Sequence, residues 1–243
     1  MQRYFLELAY KGTNYSGFQI QENAVTIQSE VTKALETFYR TPFELVGSSR
    51  TDAGVHAFQN FFHFNVNPEI SITQKQLYHL NAILPADIVL KNVFPVSETM
   101  HCRFNAVSRE YKYFIHQTKN PFLQETAWYY PYKLNVDLLN KAAQQLQSYN
   151  DYTSFSKKNT QVKTFICNIY EAVWTVENEC LVFNVKANRF LRGMVRALVA
   201  TMLKIGTDKI SVEAFTEIIK SKDCSNTDFS APAQGLFLSS VNF

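Results

Sequence analysis

Residues 49 to 56, Ser49-Arg50-Thr51-Asp52-Ala53-Gly54-Val55-His56, put a guanidinium, a carboxylate, a turn glycine and an imidazole in close succession. Gly54 permits a positive φ, so the chain can bend sharply and leave Asp52 at the tip. Arg50 then lies two residues back on the same side if the approach is extended. An isolated D-x-G is by default an Asp-capped tight turn, but such a turn needs neither Arg50 nor His56. A single ionised carboxylate steadied by an arginine can act as nucleophile or base at a sugar carbon, because separating a base from ribose builds positive charge there. A glycosidase pair would need a second carboxylate across the scissile bond. Glu7, Glu22, Glu110 and Asp151 sit in no recognisable motif. The stretch therefore reads as ribonucleoside chemistry resting on Asp52.

Two further segments carry suitable groups. Ser108-Arg109-Glu110-Tyr111-Lys112-Tyr113 places two tyrosines on one face of a strand. β-Propensity and a core face account for such a pair, and a functional tyrosine would stack on an extruded base and handle a proton. The residues alone do not choose between Tyr111 and Tyr113. The periodicity from Phe190 to Ile205 predicts a long helix with Phe190, Met194, Ala197, Leu198, Thr201 and Ile205 on its apolar side. Arg189, Arg192 and Arg196 then form a stripe on the other side, beside Gly193 and Ala200. A solvated face normally mixes lysine and glutamate, whereas this one is all arginine.

The elements that must position these groups follow from local pattern. Tyr4 to Tyr10 alternates as a half-buried strand. Val31, Ala34, Leu35 and Phe38 mark one face of a helix over Thr26–Arg40. A strand runs through Phe64, and Thr73-Gln74-Lys75-Gln76 predicts a capping box for a helix ending before Pro85. Asp87 to Val96 is a further strand. In the second half, Tyr111 to Ile115 is a strand and Val136, Leu139, Ala143 and Leu146 mark a helix. Ile169–Val176 and Leu181–Lys186 form a hairpin across Glu177-Asn178-Glu179. The long helix is expected to stop at Gly206 as a left-handed cap. The fold class is α+β: two similar α/β subdomains, residues 1–105 and 106–243, with mostly antiparallel sheets and helices packed on one face.

With 46% hydrophobic and 19% charged residues the chain is an ordinary globular protein. Met1 to Leu8 has neither the basic start nor the apolar run of a signal peptide, and no apolar stretch reaches membrane-spanning length. The expected location is the cytoplasm, with no membrane association. Cys102, Cys167, Cys180 and Cys224 are far apart, without metal or redox spacing, and are expected to be reduced, buried filler. The histidines form no i, i+4 pair around an acid, so no metal is expected. Net charge is only +3, but six of the eight arginines lie in or beside the segments above. Arginine's planar fork suits phosphate and carboxylate pairing.

GSSRTDAGVHA resembles the catalytic loop of the tRNA pseudouridine synthase A family, usually G-[GS]-x-R-T-D-A-G-V-H-A. The likeness continues in order along the chain. Tyr10 to Gln19 resembles Y-D-G-T-x-Y-x-G-W-Q, and Leu80 to Pro85 resembles L-N-x-x-L-P. His101-Cys102-Arg103-Phe104 resembles H-A-R-x, and Arg109 to Tyr113 resembles R-x-Y-x-Y. Phe190 to Arg196 resembles F-L-x-x-M-V-R, and Ala231 to Leu236 resembles A-P-A-x-G-L.

The resemblance implies that Asp52 detaches uracil from ribose and allows its return through carbon 5. It implies that Tyr111 rather than Tyr113 stacks on the uracil and assists proton removal, and that Arg196 pairs with the aspartate and keeps it ionised. Arg50, His56, Arg103, Arg109, Arg189 and Arg192 fall on motifs expected to bind substrate along an RNA cleft walled by both halves. Gly235 and Leu236 fall on the segment expected to close the uracil pocket. The implied enzyme is a homodimer that isomerises uridines in the anticodon stem-loop of tRNA without metal or organic cofactor. Phe18, Ser49, Met100 and Ala200 depart from the usual tryptophan, glycine, phenylalanine and glycine. None removes a chemical group from the implied site, so they bear on the choice of uridine. The competing readings are a catalytically silent tRNA-binding or chaperone module, a base-releasing glycosidase, and a synthase acting on another RNA.

Overall fold

A computed structural model describes residues 1–158 and 162–243. The chain forms two compact units, Met1–Val107 joined by Phe237–Phe243, and Ser108–Leu236. The first contains β1 (Gln2–Tyr10), α1 (Ile27–Tyr39), β2 (Val46–Gly47), β3 (His56–Val66), α2 (Gln74–Ile83) and β4 (Ile88–Val96). β1 runs antiparallel to both β3 and β4, with Leu6 opposite Phe62 on one side and Val93 on the other. Phe5, Leu6, Leu8 and Phe62 are fully buried, so the central strand is apolar on both faces where it is flanked. Thr26 caps α1 by accepting from the Ser29 N–H at 3.1 Å. The Thr73 N–H donates to Gln76 Oε1 at 2.7 Å, closing the α2 capping box that the sequence predicts.

The second unit follows the same logic. It holds β5 (Ser108–His116), β6 (Trp128–Tyr129), α3 (Val136–Gln145), β7 (Ile169–Glu177), β8 (Cys180–Ala187), α4 (Met194–Gly206) and α5 (Val212–Ser221). β8 pairs antiparallel with β5 and β7, putting Tyr113 opposite Phe183 and Phe183 opposite Trp174. The predicted hairpin turns on Asn178 and Glu179, both left-handed at φ 47° and 66°, the twist a tight hairpin requires. The last strand, β9 (Leu236–Asn242), leaves the second unit and lies parallel to β3 in the first, with Phe237 opposite His56. The expected division kept this strand with the second half; its pairing with β3 places residues 237–243 in the first unit.

The long helix differs from its expected form. It begins at Met194, behind a Gly193 at φ 76°, and Gly206 is its last helical residue rather than a left-handed cap. Phe190, Arg189 and Arg192 therefore precede the helix, and the expected arginine stripe is not one helix face. Met194, Ala197, Leu198, Thr201 and Ile205 are buried as predicted, but so are Val195, Val199, Ala200, Met202 and Leu203. A helix enclosed nearly all round has no single apolar face for periodicity to reveal. Cys102, Cys167 and Cys180 are buried, Cys224 is half-buried, and all four are free thiols. Among the described residues no helix is long and apolar enough to cross a membrane.

Candidate active site

In the first unit the Asp52 loop spans the gap between β2 and β3, and almost every residue before the aspartate is tied down. The Ser48 N–H donates to Phe61 O at 2.8 Å. Ser48 Oγ donates to Asn60 Oδ1 at 2.7 Å, and Asn60 Nδ2 donates to Ser49 O at 3.0 Å. Tyr10 Oη and Thr51 Oγ1 share a hydrogen bond of 2.8 Å, while the Phe18 N–H donates to Thr51 O at 3.1 Å. The Val55 N–H then closes a turn onto Asp52 O at 3.2 Å, with Gly54 at φ 77° as predicted. Asp52 is half-buried at the bend and Arg50 is exposed.

The segment beneath this loop comes from the motif Tyr10 to Gln19. A Cβ on Gly12 would lie 2.0 Å from Val55 O, so only glycine lets the two backbones meet. His56, expected to contact substrate, is fully buried. Its Nδ1 accepts from the Gly12 N–H at 3.0 Å and its ring stacks on Phe237 at 4.5 Å. Burial gives it the task of bracing the loop rather than reaching RNA. Phe18 is buried and stacked on Phe62 at 4.7 Å, and Ser49 and Ala200 are buried too. These three departures thus sit inside the packing of their own units, and Phe18 and Ser49 do so around the Asp52 loop. Met100 is half-buried, its carbonyl accepting from Arg3 Nη1 at 2.8 Å.

In the second unit Tyr111 and Tyr113 share one face of β5 but meet different surroundings. Tyr113 is fully buried, its Oη donates to Pro232 O at 2.8 Å, and burial pushes its hydroxyl far above the usual tyrosine range against the opposing charge of Arg196. Tyr111 meets Phe190 edge-on at 5.1 Å. Arg109 Nη1 donates to Asn188 O at 3.1 Å, so Arg109 and Tyr111 both meet the stretch that carries Arg189 and Arg192. Arg189 lies close enough to Cys167 to oppose the burial that pushes that thiol up to about 11. Arg192 is exposed.

Arg196, in the first turn of α4, donates from Nε to Ala231 O at 2.6 Å. Gly235 packs against the Tyr113 ring, where a Cβ would come within 2.7 Å of Cζ, and Leu236 is buried beside it in sequence. One segment, residues 231 to 236, is thus held by Arg196 at one end and by Tyr113 along its length. In the first unit Arg103 is exposed, its guanidinium 5.8 Å from the Phe104 ring centroid. Among the described residues no three His, Cys, Asp or Glu side chains gather as metal ligands would.

Sequence reasoning passed over Asn60, Tyr10 and Phe190 as parts of the site. Tyr10 opens a motif that was legible, but a single asparagine inside an aromatic strand carries no pattern of its own.

Comparison with known proteins adds the lineage. The profile of a family described as tRNA pseudouridine synthase matches residues 8–105 and 142–243. The chain is 42% identical over 243 residues to tRNA pseudouridine synthase A of Parabacteroides distasonis, covering 100% of this chain and 96% of the relative. It is 45% identical over 244 residues to the protein of that name from Bacteroides fragilis, covering 100% and 97%. It is 35% identical over 241 residues to that from Staphylococcus aureus strain MRSA252, covering 98% and 91%. With the profile covering the Asp52 loop and α4, and relatives of that name matching the whole chain, the chain belongs to the tRNA pseudouridine synthase family.

Proposed function

We propose that the protein isomerises uridine to pseudouridine in the anticodon stem-loop of tRNA, with Asp52, Tyr111 and Arg196 as its reacting and pairing groups. The observation that carries this reading is the half-buried Asp52 at a glycine bend whose flanking residues are fixed by the protein's own hydrogen bonds. A carboxylate held in place attacks the nucleoside without first being ordered. Its charge stabilises the positive sugar carbon formed as the bond from ribose C1′ to uracil N1 breaks. The base then returns through carbon 5, that carbon loses its proton, and N1 gains one. Tyr111 stacks on the uracil and assists removal of the carbon-5 proton. Arg196 is assigned as the guanidinium that pairs with the aspartate, and its Nε donates to Ala231 O at 2.6 Å.

A base must leave the stack to react, which costs a few kcal/mol. Arg50, Arg103, Arg109, Arg189 and Arg192 on flanking phosphates offset that cost. Gly235 and Leu236 close the uracil pocket. His56 supports the loop from below. The same reading makes the enzyme a cytoplasmic homodimer that works without metal or organic cofactor.

The test is tritium release from carbon 5 of uridine in unmodified tRNA. Isomerisation releases tritium and leaves the base attached, glycosidic hydrolysis gives free uracil, and a binding module gives neither. Asp52→Ala is expected to abolish release while tRNA binding is retained. Normal turnover in that variant refutes the assignment.

A further inference from the structure

Asn60 is the fully buried amide of β3, between Gln59 and the aromatic run Phe61-Phe62. A buried amide is stable only when bonded, and this one is bonded throughout. Its Nδ2 donates to Ser49 O at 3.0 Å and to Tyr10 Oη at 3.2 Å. Its Oδ1 accepts from Ser48 Oγ at 2.7 Å and from the Phe61 N–H at 2.8 Å. Three of these four bonds run to the Asp52 loop or to Tyr10. Tyr10 Oη, already accepting from Asn60, shares a 2.8 Å bond with Thr51 Oγ1, one residue before Asp52.

Local geometry brings the two side chains together. Asn60 stands opposite Leu8 on β1, and the register of β1 against β3 shifts between Leu8 and Tyr10, where Tyr10 faces Ala57. An irregularity of this kind re-aims the side chain beside it. Here Tyr10 points toward the loop with its ring 5.8 Å from Phe18. A purely structural β3 would fill position 60 with an apolar side chain like its neighbours Phe61 and Phe62.

We propose that Asn60 is a positioning residue for the reaction, holding the Asp52 loop in register through Ser48, Ser49 and the relay from Tyr10 to Thr51. This inference rests on the reading of Asp52 as the attacking carboxylate. Hydrogen bonds joined through a shared atom, as at Tyr10 Oη, strengthen one another, and a carboxylate that must meet a sugar carbon depends on the order they impose. A misplacement of about 1 Å can lower a rate on the order of 100-fold. The relay is formed before any substrate arrives, so its loss slows the chemical step without weakening RNA binding.

The test uses the full chain and tritium release measured across a range of tRNA concentrations, with single-turnover runs at excess enzyme. Tyr10→Phe removes the relay hydroxyl but keeps the ring on Phe18, and Thr51→Val removes its partner at nearly constant volume. Each is expected to lower kcat roughly 10- to 100-fold, with KM within about twofold of the parent and an unchanged far-UV spectrum. The double variant is expected to be no slower than Tyr10→Phe alone, since Tyr10→Phe already cuts the one bond that Thr51→Val removes, along with the bond from Asn60. Asn60→Leu, where it folds, is expected to show the same split. The proposal is overturned if both single variants keep kcat within twofold while Asp52→Ala is dead. It is also overturned if their losses multiply in the double variant or appear in KM. Full turnover by Asp52→Ala defeats the underlying reading instead, and the positioning role falls with it.

Discussion

Two tyrosines two residues apart on β5 show how neighbouring side chains of one type acquire different work. Tyr113 has its hydroxyl on Pro232 O and its ring under Gly235, both inside the second unit. Removing that hydroxyl takes a partner from a half-buried carbonyl, a loss on the order of 1 kcal/mol. Tyr113→Phe is therefore expected to lower the melting temperature and leave the rate of tritium release per folded molecule within about twofold. Tyr111→Phe keeps the ring against Phe190, so base stacking survives, but it removes the proton-handling oxygen. General acid–base groups contribute roughly 100- to 10,000-fold, so kcat per folded molecule is expected to fall by at least the lower figure. Paired melting and single-turnover measurements check both at once. The opposite pattern would transfer the proton role to Tyr113.

Among the elements, β3 binds the first unit together and makes its stability respond to acid. His63, opposite Phe5 on β1, is buried, with Nδ1 3.1 Å from Cys102 Sγ. Burial, and then the nearby charges of His101 and Arg3, lower its pKa from the usual 6.5 to about 4. An unfolded chain takes up this proton near pH 6.5 and the folded chain only near 4, so folding stability is complete above pH 6.5. It falls as the pH drops through that window at about 1.4 kcal/mol per unit. His101 is shifted the same way and adds to the slope. Urea unfolding at pH 7 and pH 5 is expected to show a loss on the order of 2 kcal/mol, reduced in His63→Gln, which stays neutral. A parent stability unchanged between the two would contradict it.

The same elements show why part of the molecule was legible. The α2 box from Thr73 to Gln76 and the hairpin at Asn178 are fixed by contacts within a few residues, and a linear pattern records such contacts. The start of α4 is fixed by distant ones. Phe190 continues the helical period but turns to Tyr111, so the helix waits for Met194. β9 likewise pairs with β3 across most of the chain. The Asp52 loop was legible because it carries more chemistry than a bend requires, whereas Asn60 gains meaning only from the loop packed against it.

For the molecule as a whole, the question is how a chain of net charge +3 would grip a polyanion. A uniform field of that size gives little attraction at physiological salt, where exposed charges are screened beyond about 8 Å. Affinity must then come from individual guanidinium–phosphate pairs, each releasing counterions and steepening the dependence on salt. Arg50, Arg103 and Arg192 are exposed in the structure, as are Lys75 and Lys141, which lie in no segment assigned to substrate. Arg50→Gln, Arg103→Gln and Arg192→Gln are each expected to weaken tRNA binding and to shallow the plot of log affinity against log salt by about 0.7 to 0.9 for every phosphate left without its guanidinium. Lys75→Gln and Lys141→Gln change net charge by the same unit and are expected to leave that slope alone. Filter binding from low to high salt, roughly 50 to 300 mM, separates the two cases. Equal shallowing by all five substitutions would mean that the protein is drawn to tRNA by its total charge, and the assignment of the arginines to placed phosphates would fail.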